Sequence, residues 1–142
     1  MYSRHSGFTF LEALTGILIL SVLAFLSAPA FDTLIAKSKE GNAKGGLATI
    51  RGALEVYKTN NGSYPVDNLD CLKKKYLMKI PKNELPNTGH EPKRHVVMAT
   101  DSPKVNDAGG WHYDNRPESP EWGKVRINCT HINSLSEEWD SL

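Results

Sequence analysis

Hydrophobic and polar positions divide this chain into two unequal parts. From Ala13 to Phe31 there are 19 consecutive residues without a charge, dominated by Leu, Ile, Val, Phe and Ala. About 20 mostly apolar helical residues cross the hydrocarbon core of a bilayer. After Asp32 the apolar residues become periodic instead of continuous. Ala43, Leu47, Ile50, Leu54 and Tyr57 recur at spacings of 4, 3, 4 and 3, which aligns them on one helical face, and Lys44, Arg51, Glu55 and Lys58 fall largely opposite. Asn60-Asn61-Gly62 then ends the pattern with residues that tolerate the left-handed conformation of a helix stop. One helix from Phe8 to about Thr59 is therefore predicted; its 52 residues would span ~78 Å. Two residues interrupt it. Gly16 lowers helix propensity and permits close approach of another helix, and Pro29 removes a backbone donor and predicts a kink.

Residues 66–92 read as an irregular connector with a short helix at Leu69–Leu77, whose Lys73-Lys74-Lys75 run is a solvated face. Strands follow at His95–Ala99, Gly110–Asp114 and Gly123–Asn128. Alternation puts Trp111, Tyr113, Val125 and Ile127 towards the helix, with Lys124 and Arg126 outward. Asp114 to Trp122, with two prolines, is a hairpin loop. The expected fold class is α+β: a long N-terminal helix packed on a small antiparallel sheet.

Charge adds one anomaly to this picture. Glu12 stands at the mouth of the uncharged run, and an acidic side chain near the centre of a membrane helix costs about 2.5 to 3.5 kcal/mol. Such a carboxylate asks for a partner. Elsewhere the balance is even, 17 Lys plus Arg against 16 Asp plus Glu, so no net field points to nucleic acid. Plainer accounts of the N-terminus are a secretory signal cut near Ala28-Pro29-Ala30, an anchor with Glu12 at the interface, and a buried helix of a soluble domain. Ordinary signal cores are shorter and do not open with Glu. There is no Gly-x-Ser-x-Gly, phosphate-binding glycine loop or His-Glu-x-x-His, and no enzyme or cofactor is expected.

Gly7-Phe8-Thr9-Phe10-Leu11-Glu12, behind the short basic leader Met1 to Ser6, resembles the type III signal of type IV prepilins and pseudopilins. The resemblance implies a leader at 1–7 removed by a prepilin peptidase, cleavage after Gly7 and N-methylation of Phe8. It implies a membrane-spanning, polymerising helix at 8–31 and a globular domain at 32–142 in the periplasm or outside the cell. Glu12 becomes the fifth residue of the mature chain and pairs with the Phe8 amine of a neighbouring subunit. Tyr57-Lys58-Thr59-Asn60-Asn61-Gly62-Ser63-Tyr64-Pro65 is similar to the helix exit of major pseudopilins and many type IV pilins, and the Gly-Gly-Trp-x-Tyr hairpin from Gly109 is similar to theirs. Leu77-Met78-Lys79-Ile80-Pro81 resembles the stretch before an Asp-Pro-Trp-Gly motif in major pseudopilins, but Lys82-Asn83-Glu84-Leu85-Pro86 follows here.

The function so implied is a structural subunit of a type IV pilus-like filament, made with other pilins and handled by the prepilin peptidase and an inner-membrane assembly platform. Before assembly the subunit would sit in inner-membrane lipid. A type II secretion pseudopilin fits as well. So does a membrane-tethered binding module that reads a ligand with the Trp111–Trp122 loop. For a domain outside the cytoplasm, the even pair Cys71 and Cys129 is expected to form a disulfide worth about 2–4 kcal/mol. His90, His95, His112 and His131 have no metal-binding spacing, and Asp107, Asp114, Glu118 and Glu121 show no repeating calcium pattern, so these acids are read as solvated and no metal is expected.

Overall fold

A computed structural model describes residues 7–142, with the backbone alone for residues 27–30. The leader residues 1–6 and the expected kink at Pro29 lie outside the described residues. One helix, α1 (Phe10–Asn61), covers the 52 residues between Thr9 and Gly62. Its stop follows the expected chemistry. Gly62 takes a positive φ of 80° and returns its N–H to the Lys58 carbonyl at 2.7 Å, the closing bond that a left-handed residue permits.

The chain divides into two units, one ending at Ile35 and one comprising Ala36–Leu142. In the first, the helix is apolar on every side and its large side chains are exposed, among them Phe10, Ile17, Leu20 and Phe25. A helix apolar all round is stable only in an apolar surrounding. It is the one helix among the described residues long and apolar enough to cross a membrane.

In the second unit the helix is amphipathic. Ala43, Leu47, Ile50 and Leu54 are buried as the 3.6-residue period requires, Ala53 joins them, and Tyr57 packs at the margin. Against this face lie three strands, β1 (Val96–Met98), β2 (Trp111–Tyr113) and β3 (Val125–Ile127), in the order β1-β2-β3. Trp111, Tyr113, Val125 and Ile127 are completely buried, the face expected from alternation. Gly46 makes this contact possible: a Cβ there would stand 3.2 Å from the Trp111 ring and from Pro81.

Two expectations are corrected. The sheet is mixed, because β1 and β2 run parallel and only β2 and β3 are antiparallel. The twelve-residue connection 99–110 carries the chain back to the starting end of β1, where Trp111 N–H bonds the His95 carbonyl at 2.9 Å. The reverse face of β2 is covered as well: His112 is 2% exposed, and its Nε2–H donates to the Ser102 carbonyl at 2.8 Å. The connector helix is only a single 3-10 turn, Asp70–Leu72. Leu69 (φ 67°) and Lys74 (φ 71°) occupy left-handed conformations on either side of it, and such residues do not continue a right-handed helix.

Candidate functional site

The first turn of α1 is built around Thr9 and Glu12. Thr9 Oγ1 accepts the Glu12 N–H at 3.3 Å, and Glu12 Oε2 in turn accepts from the Thr9 N–H and hydroxyl, both at 3.4 Å. This reciprocal arrangement is a capping box, which satisfies otherwise free backbone donors at a helix start. Capping by Thr9 moves the start of the helix from the expected Phe8 to Phe10. Gly7 and Phe8 precede it as exposed, non-helical chain. Glu12 thus has a local task that the sequence reading missed, although the Thr-x-x-Glu spacing was visible. Its carboxylate also sits at the positive end of the helix dipole.

Two of the described polar residues within the apolar half satisfy themselves. Thr15 Oγ1 donates to the Glu12 carbonyl at 2.9 Å, and Ser21 Oγ donates to the Leu18 carbonyl at 2.8 Å. Folding hydroxyls back onto their own helix removes the cost of carrying them into hydrocarbon. Glu12 is the carboxyl of this segment whose placement an apolar surrounding would govern. Gly16 has nothing within 4 Å of a built Cβ.

The other sequence-predicted residues fall elsewhere. Tyr64 does return to the helix: its hydroxyl donates to Glu55 Oε1 at 2.6 Å, and Lys58 Nζ lies 4.5 Å from its ring centre. The Trp111–Trp122 loop does not offer both tryptophans to a ligand, because Trp111 is fully buried and its indole N–H donates to the Pro81 carbonyl at 2.9 Å. Trp122 meets Tyr64 edge-on. Three loop acids read as solvated are engaged, Asp114, Glu121 and, in a separate cluster, Asp107. Asp114 is 2% exposed and accepts from Arg116 Nη2 and Ser119 Oγ, both at 2.7 Å. The Arg116 guanidinium, outweighing burial and helped by Ser119, draws its carboxyl down to about 2. Glu121 is bonded by Arg126 and Lys124, which lower its carboxyl.

The structure does not show the expected disulfide: Cys71 and Cys129 are both free thiols in it. Cys71 Sγ donates to Asp67 Oδ1 at 3.3 Å in the connector, whereas Cys129, fully buried past the end of β3, lies 3.3 Å from His131 Nδ1. Packing directs the two thiols into different surroundings. Burial pushes each up to about 11, so neither is a ready nucleophile near neutral pH.

Around Cys129 the structure gathers residues that sequence spacing left scattered. His90, Asp107, Cys129 and His131 bring their ligand-type atoms within 4.8 Å of one another. Asp107 Oδ1 is 3.2 Å from His90 Nε2 and 3.3 Å from His131 Nδ1. It also accepts the Thr130 N–H at 2.9 Å. Burial alone would raise the Asp107 carboxyl, but Thr130 and the two imidazoles together bring it below its ordinary value.

No protein-family model matches this chain. No solved structure matches it either. Among curated proteins it is 30% identical over 116 residues to the type II secretion system core protein G of Pseudomonas aeruginosa, an alignment covering 70% of this chain and 79% of that protein. It is 37% identical over 71 residues to the protein of the same name from Aeromonas hydrophila, covering 49% of this chain and 50% of that one. A fimbrial protein, EcpC of Eikenella corrodens, is 32% identical over 64 residues, covering 45% of this chain and 42% of that protein. In the last two comparisons the chain spans about half the length of the relative or less.

Proposed function

Because this chain belongs to the type IV pilin-like family that includes the type II secretion system core protein G, we propose that it is a filament subunit of the pseudopilin kind. The observation that carries the reading is Glu12 in the first turn of a helix that is apolar on all sides and exposed along its first half. Cleavage after Gly7 by a prepilin peptidase would create a cationic amine on Phe8, four residues before Glu12. Among the described residues of one subunit the carboxylate is held by Thr9 alone. In a bundle of such helices a neighbour's Phe8 amine becomes its counter-ion, and the cost of a charge in hydrocarbon is offset only when subunits meet in register.

Before assembly the apolar half of α1 would rest in the inner membrane, with the second unit in the periplasm. An assembly platform in that membrane would feed subunits into the filament, and the subunit's role is structural. The names of the relatives favour a secretion pseudopilus. The similarity to a fimbrial protein keeps a surface type IV pilus as the second reading.

Glu12→Ala and Glu12→Gln separate the two tasks of this residue. The glutamine retains a capping acceptor and removes the charge, so both variants should be cleaved, remain in the membrane and fail to form filaments when overproduced. Normal filaments from Glu12→Gln would refute the counter-ion mechanism. Deleting the gene should leave exported proteins trapped in the periplasm under the first reading, and should remove sheared surface fibres under the second.

A further inference from the structure

His90 closes the connector, Asp107 belongs to the β1–β2 connection, and Cys129 and His131 follow β3. These three separate segments deliver one carboxylate, one thiol and two imidazoles to a single point. In a tetrahedral zinc site the bonds are about 2.0–2.1 Å to nitrogen, 2.0–2.2 Å to oxygen and 2.3 Å to sulfur, which places ligand atoms about 3.3–3.6 Å apart. Three separations here match that scale: 3.2 Å for His90 to Asp107, 3.3 Å for His131 to Asp107 and 3.3 Å for Cys129 to His131. The remaining ones are at most 4.8 Å, within reach of small rotations of the half-exposed Asp107 and His131 side chains.

The surrounding backbone holds this point in shape. Asn128 is fully buried; it donates to Asn106 Oδ1 at 2.8 Å and accepts the Asn106 N–H at 3.0 Å. Gly109 N–H bonds the Asn128 carbonyl at 2.9 Å. Asp107 is thereby fixed in a left-handed conformation (φ 57°), with Thr130 N–H on its carboxylate. Gly109, itself at φ 73°, lets the loop close on the His90 ring, since a Cβ there would stand 3.3 Å from His90 Cβ. Such outer bonds orient ligands around a metal.

We propose that His90, Asp107, Cys129 and His131 form a binding site for a zinc-type divalent ion, which ties the 105–110 loop and the 129–131 segment to the connector. On binding, Cys129 gives its proton to solvent and coordinates as thiolate, the imidazoles bind neutral, and Asp107 binds as carboxylate. The dication then meets two anionic ligands, and the half-buried site ends neutral. One sulfur and two nitrogens select zinc over calcium, which takes six to eight oxygens. The ion enters from the exposed side, at His131 and Asp107. It supplies the cross-link that a disulfide would otherwise give this domain.

The test uses the full-length chain in detergent micelles, reduced and stripped of metal, titrated with cobalt(II) and then with zinc(II). One equivalent of cobalt should produce the intense visible bands of a tetrahedral site and a thiolate-to-metal charge-transfer band, both abolished by one equivalent of zinc. His131→Gln, on the exposed rim where folding is least at risk, and Cys129→Ser should each weaken zinc binding by more than about tenfold. Cys71→Ser should bind as the parent does. A weak octahedral cobalt spectrum would overturn the proposal. So would equal loss of binding in Cys71→Ser, affinity unchanged in His131→Gln, thermal stabilisation by calcium but not zinc, or a Cys71–Cys129 disulfide in protein isolated without reductant.

Discussion

Asp114 carries its charge at 2% exposure because its neighbours supply what water would. Arg116 Nε and Nη2 reach both carboxylate oxygens, and Ser119 Oγ and the Arg116 backbone N–H complete the set. With the carboxyl drawn down to about 2, the charged form is the one that stabilises the fold. That contribution is fully present above the unfolded value near 4, and it fades as pH falls through about 2. The shift corresponds to about 2 kcal/mol. Asp114→Asn should therefore melt below the parent at pH 6, by calorimetry in detergent, and the gap should narrow as pH approaches 2. A constant gap across that range would show that the loss comes from geometry instead of charge. None of this was legible in the sequence, where Asp114 was one acid among several in a loop. Burial of a loop carboxylate depends on Arg116 and Ser119 folding back over it, and no periodicity announces that.

At the scale of elements, what could be read in advance was what depends on local repetition. The face Ala43–Leu47–Ile50–Leu54 and the alternation Trp111/Tyr113 against Val125/Ile127 both follow from a fixed side-chain period. Strand direction does not. The parallel pairing of β1 with β2 depends on the path of residues 99–110, and the single 3-10 turn depends on backbone reversals at Leu69 and Lys74. The contact between α1 and β2 is tight at Gly46, so bulk there meets both Trp111 and Pro81. Gly46→Val should lower the melting temperature by overpacking, at a cost of about 1–3 kcal/mol, while Gly45→Val, one step round the helix where nothing lies within 4 Å, should cost less. Similar melting of the two variants would mean that the helix shifts to absorb the change. At the head of α1, Thr9→Val should cost about 1 kcal/mol of helix start, read as faster amide exchange over Phe10–Ala13, without preventing cleavage after Gly7.

For the molecule as a whole, membership of the pilin-like family was legible in the chain because its N-terminal signal is contiguous and chemically specific. The His90–Asp107–Cys129–His131 cluster was not, because its members are brought together only by the sheet and the long connection. Mass spectrometry of protein recovered from membranes should find a mature chain beginning at N-methylated Phe8. A chain beginning at Met1 or Phe31 would instead assign the N-terminus to an ordinary anchor or secretory signal. One further property follows from where the aromatic residues lie. The three tryptophans, Trp111, Trp122 and Trp139, all belong to the second unit, two of them fully buried, and the apolar half of α1 has phenylalanine alone. Indole emission from this chain is thus a one-sided gauge. It reports on the folding of the domain while lipid insertion of the helix stays dark, so domain folding can be followed without interference from membrane binding and without attaching a dye.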